Sequence, residues 1–169
     1  MTPPVGFDAV VAQFGPALRR LTHTYEARSP RQEELLQEIW LALWQALPRF
    51  REQASLRTYV LRVAHNVAIK HVRRDARDPR HVDAPGQVVA EGPDPGEALD
   101  RHRRRATLVE AVRALPEPDR QVAMLHLEGL GNTEVAAVTG LSVSNVGTRL
   151  HRIRVRLRHQ LEGPDVDGR

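Results

Sequence analysis

Residues 133–161 read TEVAAVTGLSVSNVGTRLHRIRVRLRHQL, and between Ser142 and Gln160 they hold five arginines, two histidines and no carboxylate. Ala136, Gly140 and Val146 stand four and then six residues apart. That is the spacing of a helix-turn-helix: a small residue where two helices cross, a glycine for a left-handed turn, and an apolar anchor on the second helix. Thr133 is placed to cap the first helix and Ser142 the second. On the second helix Val146, Leu150, Ile153 and Leu157 recur at helical intervals and form its inward side. Left outward are Ser144, Asn145, Thr148, Arg149 and Arg152, short hydrogen-bonding groups ahead of arginines, as suits a helix entering a major groove N-terminus first. Asparagine reads adenine and arginine reads guanine through paired hydrogen bonds, while Arg154, Arg156 and Arg158 suit phosphates. A helix that is merely solvated gains support from Glu–Lys pairs along its surface. None is present here, so the expectation is DNA recognition. Gly147 departs from the ideal, since a glycine inside a helix costs about 1 kcal/mol relative to alanine.

Upstream of this motif the same 3.6-residue periodicity recurs, and strand-like alternation is nearly absent. Leu99, Leu108, Val109, Val112 and Leu115 form one stripe, Leu115-Pro116-Glu117-Pro118 breaks it, and Val122, Leu125 and Leu127 line the next helix. Between Asp75 and Asp100 the composition changes to seven acids, two arginines, four prolines and three glycines. Such a segment reads as an acidic flexible linker. Ahead of it, Phe7, Val10, Val11 and Phe14 suggest a short helix, which Gly15-Pro16 ends before a second runs from Ala17 to about Ala27. Ser29-Pro30-Arg31-Gln32 has the form of a capping box. The long helix it starts carries Leu35, Leu36, Ile39, Trp40, Leu43, Trp44 and Leu47 as its apolar stripe, and Pro48 stops it. Glu33, Glu34, Gln37, Glu38 and Gln45 lie opposite. After a polar connection a further helix has Leu56, Tyr59, Val60, Val63, Ala64, Val67, Ala68, His71 and Val72 on one side. Arg57, Arg62, Lys70, Arg73 and Arg74 project from the other, a charge that packing does not explain.

The expected architecture is therefore all-α, two small helical domains joined by an acidic linker, with boundaries at 1–74, 75–98 and 99–161 and a tail at 162–169. The chain has 169 residues, enough for one ordinary core or two small ones. Its 25 lysines and arginines against 21 acids leave a net charge of only +4, so clustering of the bases makes a polyanion the first partner to consider. There is no cysteine, which excludes disulfides and thiolate metal sites. The opening MTPPVGFDAVVAQF lacks a basic start before an apolar core, and no apolar run approaches the roughly 20 residues of a membrane span. A cytoplasmic protein without membrane insertion is expected.

Three segments in order carry a resemblance to the extracytoplasmic-function group of bacterial RNA polymerase sigma factors. EELLQEIWLALWQALPRF, from Glu33, resembles that family's helix for binding core polymerase. SLRTYVLRVAHNVAIKHVRR, from Ser55, is similar to its segment that melts and reads the −10 element. LPEPDRQVAMLHLEGLGNTEVAAVTGLSVSNVGTRLHRIRVRL, from Leu115, is similar to its −35-reading domain. The resemblance implies that residues 1–74 are sigma region 2 and residues 99–161 sigma region 4. It assigns Glu34, Gln37, Glu38 and Trp44 to the clamp of the largest polymerase subunit, leaving Trp40 to core packing. It assigns Arg57, Arg62, Asn66, Arg73 and Arg74 to the −10 strand, to which Lys70 is added from the basic side of the same helix, and the outward residues Ser144, Asn145, Thr148, Arg149, Arg152 and Arg154 are expected to meet the −35 element. The implied partners are core RNA polymerase, promoter DNA and an anti-sigma factor; no catalytic residue, metal or cofactor is implied. Leu56 and Tyr59 stand where the family usually has phenylalanine and tryptophan, Lys70 where an acid is common, and Gly147 where a base is usual. Each base stacked on an aromatic ring is worth about 1–3 kcal/mol, so promoter preference does not transfer from relatives.

The alternative is a helix-turn-helix regulator that is not a polymerase subunit. One of the response type would require an α/β receiver or ligand domain upstream, and the first block is helical. A metal-dependent hydrolase is disfavoured because His65 and His71, six residues apart, do not share a helix face, and no His-Glu-x-x-His cluster is present. An RNA-binding protein is disfavoured for want of a recognised signature.

Overall fold

Seven α-helices make up most of residues 6–75 and 97–162, the part of the chain that the computed structural model describes. The chain divides into two units, Met1–Val88 and Val89–Arg169. The interior of the linker expected at 75–98 and the tail beyond Glu162 lie outside the described residues.

In the first unit, helices α1 (Phe7–Tyr25), α2 (Ser29–Ala46) and α3 (Leu56–Asp75) pack pairwise on one another. α1 is one helix where two were expected, for it continues through Pro16. A proline inside a helix costs about 3 kcal/mol, but Val10, Phe14, Leu18, Leu21 and Tyr25 form one unbroken buried stripe across it. Burying each large apolar side chain returns about 1.5–3 kcal/mol, and Gly15 has no Cβ to meet the proline ring. The chain therefore keeps the stripe and gives up one hydrogen bond.

The expected Ser29 cap does not form. Arg28 occupies the N-cap position without a side-chain cap, and Ser29 and Pro30 are already helical. Glu26 organises the entry instead: its Oε1 accepts the Arg28 N–H at 2.9 Å, and Gln32 Nε2 donates to the Glu26 carbonyl at 2.9 Å. The charged Arg31 lies 3.6 Å from Glu26 Oε2 and the buried His71 ring 3.7 Å, so this carboxylate ties the start of α2 to the end of α3. Burial alone would raise the Glu26 carboxyl; His71, the Arg28 amide and Arg31 together hold it below its ordinary value. A short 3₁₀ turn, Leu47–Arg49, ends α2 at Pro48.

Leu35, Leu36, Ile39 and Leu43 on α2, and Leu47 in the turn that follows it, are buried as expected. Trp40 is half-buried, edge-on to Phe7 with ring centroids 5.9 Å apart. Trp44 leaves the stripe altogether and is 61% exposed. On α3 the buried face is rotated from the expected one: Thr58, Val60, Leu61, Ala64, His65, Ala68, Ile69 and His71 face inward. Leu56, Tyr59, Val63, Val67 and Val72 are only half-buried. Of the polar members of the buried face, Thr58 Oγ1 lies 2.8 Å from Ser55 Oγ, and His65 Nδ1 lies 3.2 Å from Tyr25 Oη.

The second unit contains α4 (Glu97–Arg113), α5 (Glu117–Leu127), α6 (Asn132–Thr139) and α7 (Val143–Glu162). Val112, Leu115, Val122, Ala123, Met124, Leu125, Leu130, Val135, Ala136, Val138, Val146, Leu150 and Ile153 form its core. Leu127, expected inward, is exposed, and Leu130 takes the buried place beyond the end of α5. The cap of α6 is also displaced: Gly131 is the N-cap, Thr133 is exposed inside the helix, and Glu134 Oε2 accepts the Gly131 N–H at 3.0 Å.

Candidate nucleic-acid and partner interfaces

The turn between α6 and α7 rests on Gly140, whose φ of +77° an L side chain rarely adopts. Ser142 Oγ accepts the Asn145 N–H at 3.2 Å and caps α7 as the sequence predicts. Val146, Leu150 and Ile153 then anchor α7 with almost no exposure, while Leu157 is half-buried. This packing turns Ser144, Asn145, Thr148, Arg152 and Arg154 to solvent. Thr148 Oγ1 donates to the Ser144 carbonyl, and Arg154 Nη2 lies 3.3 Å from His126 Nε2. Arg149 is different. Its Nη1 donates to Asp119 of α5 and its Nε to Asn145 Oδ1 at 2.8 Å, so it lies along the protein surface with its guanidinium engaged.

On α3, Arg62, Asn66, Lys70 and Arg73 are spaced by four, four and three residues and share one face. Arg62 is half-buried and the other three are exposed. Tyr59 begins the same face, but its hydroxyl donates to the Ala46 carbonyl at 2.8 Å and its ring lies 4.9 Å from that of Phe50. Arg57 and Arg74 do not join the row. Arg57 sits in the first turn, in register with the buried residues Leu61, Ala64 and Ala68. Arg74 Nη2 donates to Glu38 Oε1 at 2.7 Å and lies 3.0 Å from His71 Nδ1, which binds it to α2. His65 lies behind this basic row; burial first, and the charge of Arg73 second, lower its pKa from 6.5 to about 4.

The outer face of α2 gathers Glu34, Gln37 and Trp44, all exposed. Glu38 is set apart at its edge, turned toward Arg74 and His71. Leu41 completes the row and is 57% exposed. Sequence reading missed it, although an apolar residue four after Gln37, off the buried stripe, was a visible signal. Asp119 was also missed; it lies 30 residues from Arg149, and no local pattern connects them. Among the described residues no helix is long and apolar enough to cross a membrane.

Two family descriptions match, Sigma-70 region 2 over residues 10–78 and Sigma-70, region 4 over residues 105–157. The chain is 31% identical over 135 residues to the probable RNA polymerase sigma factor RfaY of Xanthomonas campestris pv. campestris, covering 76% of itself and 34% of that protein. It thus spans about a third of that relative's length. With the ECF RNA polymerase sigma factor SigC of Mycobacterium tuberculosis it shares 32% identity over 143 residues, 80% of this chain and 73% of SigC. A solved structure of the sigma factor RpoE in complex with the anti-sigma factor NepR from Bartonella quintana has the same fold. The TM-score is 0.74 at 22% identity, covering 96% of this chain and 98% of that one. Two helical units carrying regions 2 and 4 in order, together with the likeness to SigC, place the chain in a family: it belongs to the extracytoplasmic-function sigma factors of RNA polymerase.

Proposed function

We propose that this chain is a dissociable specificity subunit of RNA polymerase, without catalytic chemistry of its own, that directs initiation at promoters bearing −35 and −10 elements. Residues 1–74 act as region 2. The α2 row of Glu34, Gln37, Leu41 and Trp44, with Glu38 at its edge, docks on core polymerase. The α3 row of Arg62, Asn66, Lys70 and Arg73 captures the −10 strand, with Arg57 and Arg74 at its margins. Phosphate contacts position that strand, and an unstacked base is held against the protein. Residues 99–161 act as region 4, laying α7 in the −35 major groove through Ser144, Asn145, Thr148, Arg152 and Arg154, with Arg149 beside them. Residues 75–98 tether the two. Two weak sites on one tether act at high effective concentration, so promoter affinity exceeds that of either half alone. The protein works in the cytoplasm, where the polymerase is. An anti-sigma protein that covers these surfaces is the expected regulator, a reading supported by the relative solved with NepR.

The observation that carries this reading is the pairing, in one chain, of an arginine-rich helix-turn-helix with a second unit that leaves Trp44 and Leu41 bare on an acidic helix. A regulator that only binds DNA has no use for that second surface. The test is run-off transcription with purified core polymerase on a randomised promoter library. Promoter-dependent transcripts that require the chain are expected; their complete absence would overturn the proposal.

A further inference from the structure

Asp119 stands in the first turn of α5 and accepts a hydrogen bond from Arg149 Nη1; their side chains are only 18% and 23% exposed. Arg149 Nε donates in turn to Asn145 Oδ1 at 2.8 Å. A guanidinium carries donors and no acceptor, so the amide atom that meets it must be the oxygen. The orientation of the Asn145 amide is thereby set by chemistry. Its oxygen takes a charged donor from within the protein, and its NH₂ is left for the groove.

We propose that Asp119 is a specificity-setting positioning residue. It holds Arg149, Arg149 holds the oxygen of Asn145, and Asn145 consequently presents donors to the duplex. Adenine read by asparagine needs an oxygen to accept from N6 and an NH₂ to donate to N7. With the carbonyl aimed at Arg149 and one of its two lone pairs taken, the amide turns its NH₂ rather than its oxygen to the groove, and Asn145 favours an edge of acceptors: guanine, with O6 and N7, or thymine, with O4. The same relay makes Arg149 a support for the reading surface, its charge compensated by Asp119. This inference rests on the reading of α7 as the −35 helix.

The experiment is selection of upstream elements from a randomised promoter-duplex library by holoenzyme assembled from core polymerase and the full chain. The wild-type chain should enrich guanine or thymine at the position that Asn145→Ala identifies. Asp119→Asn should lower that preference about fivefold or more and admit adenine there, leaving other positions unchanged. Arg149→Lys, which keeps the charge but lacks Nε and the fork, should give the same local loss. Asp119→Glu should restore part of the preference. Unaltered selectivity in Asp119→Asn overturns the relay. So does an equal loss of enrichment at every position accompanied by a lower melting temperature, since a merely structural role predicts that. If Asn145→Ala and Arg152→Ala both leave all upstream positions unchanged, the −35 reading itself fails; a local change in Asn145→Ala without one in Asp119→Asn sinks only the relay.

Discussion

Acidification should destabilise the first unit through one histidine. His65 is buried on α3 with Nδ1 facing the Tyr25 hydroxyl, and burial, reinforced by the Arg73 charge, sets its folded pKa at about 4 against 6.5 for the free side chain. The depressed value means that the folded state resists protonation while the unfolded chain accepts it. Stability from this group is therefore complete above the unfolded value and declines as pH falls from 6.5 toward 4. At 1.36 kcal/mol per pKa unit the full loss is about 3 kcal/mol, of which about 2 kcal/mol has occurred by about pH 5. For a small unit that is a large part of the total. The Glu26 carboxylate does not confuse the measurement, because its depressed pKa gives stability that is lost only below the ordinary carboxylate value of 4.5. The chain has two tryptophans, Trp40 and Trp44, both on α2, so urea unfolding followed by tryptophan emission reports the first unit alone. With a slope of about 1–3 kcal/mol per molar urea, the wild-type midpoint should fall by roughly 1 M between about pH 7.5 and pH 5. His65→Gln should start lower at neutral pH but lose about 2 kcal/mol less over the same interval. If the variant shows the same pH dependence as the wild type, the buried neutral histidine is not the cause and the reasoning fails.

Gly147→Ala should stabilise the second unit by about 0.5–1 kcal/mol, raising its melting temperature by several degrees, because the added Cβ would meet Asn132 Nδ2 at an ordinary 3.7 Å. A lower melting temperature by circular dichroism would show that Asn132 cannot accommodate it. Trp44→Ala should change the stability of the first unit by no more than about 0.5 kcal/mol, since the ring is 61% exposed, yet weaken core polymerase binding by about 1 kcal/mol or more. Equal losses in urea unfolding and in a polymerase titration would return Trp44 to the core.

Helix existence was legible in the sequence because apolar periodicity reports burial directly. The errors came where a local rule met a tertiary one. Gly15-Pro16 looks like a boundary, but the stripe from Val10 to Tyr25 runs through it and outweighs the lost bond. On α3, valines lie on both sides of the axis, so periodicity alone did not fix the rotation; packing that buries Leu61, His65 and Ile69 did. The helix-turn-helix spacing was readable because Gly140 meets a backbone requirement that few other residues meet. Contacts between elements were not readable. Glu38 with Arg74, and Asp119 with Arg149, each join residues 30 or more positions apart whose charges alone do not select a partner.

The arginine-rich helix divides into two halves with different physical supports. Val146, Leu150 and Ile153 are buried, each contributing about 1.5–3 kcal/mol, and they hold the part of α7 that carries Ser144, Asn145 and Thr148. Among the described residues beyond Ile153, only Leu157 is half-buried, while Arg154, Arg156, Arg158 and His159 are exposed. Arg152 with Arg156, and Arg154 with Arg158, are like charges four residues apart, each pair costing a few tenths of a kcal/mol. Little packing offsets that repulsion in the last turns, and no acid precedes Glu162 on this helix. Phosphates would supply the missing countercharge. On the proposed reading, base discrimination sits on the half that the core holds rigid, and charge-driven affinity on the half that a duplex would complete.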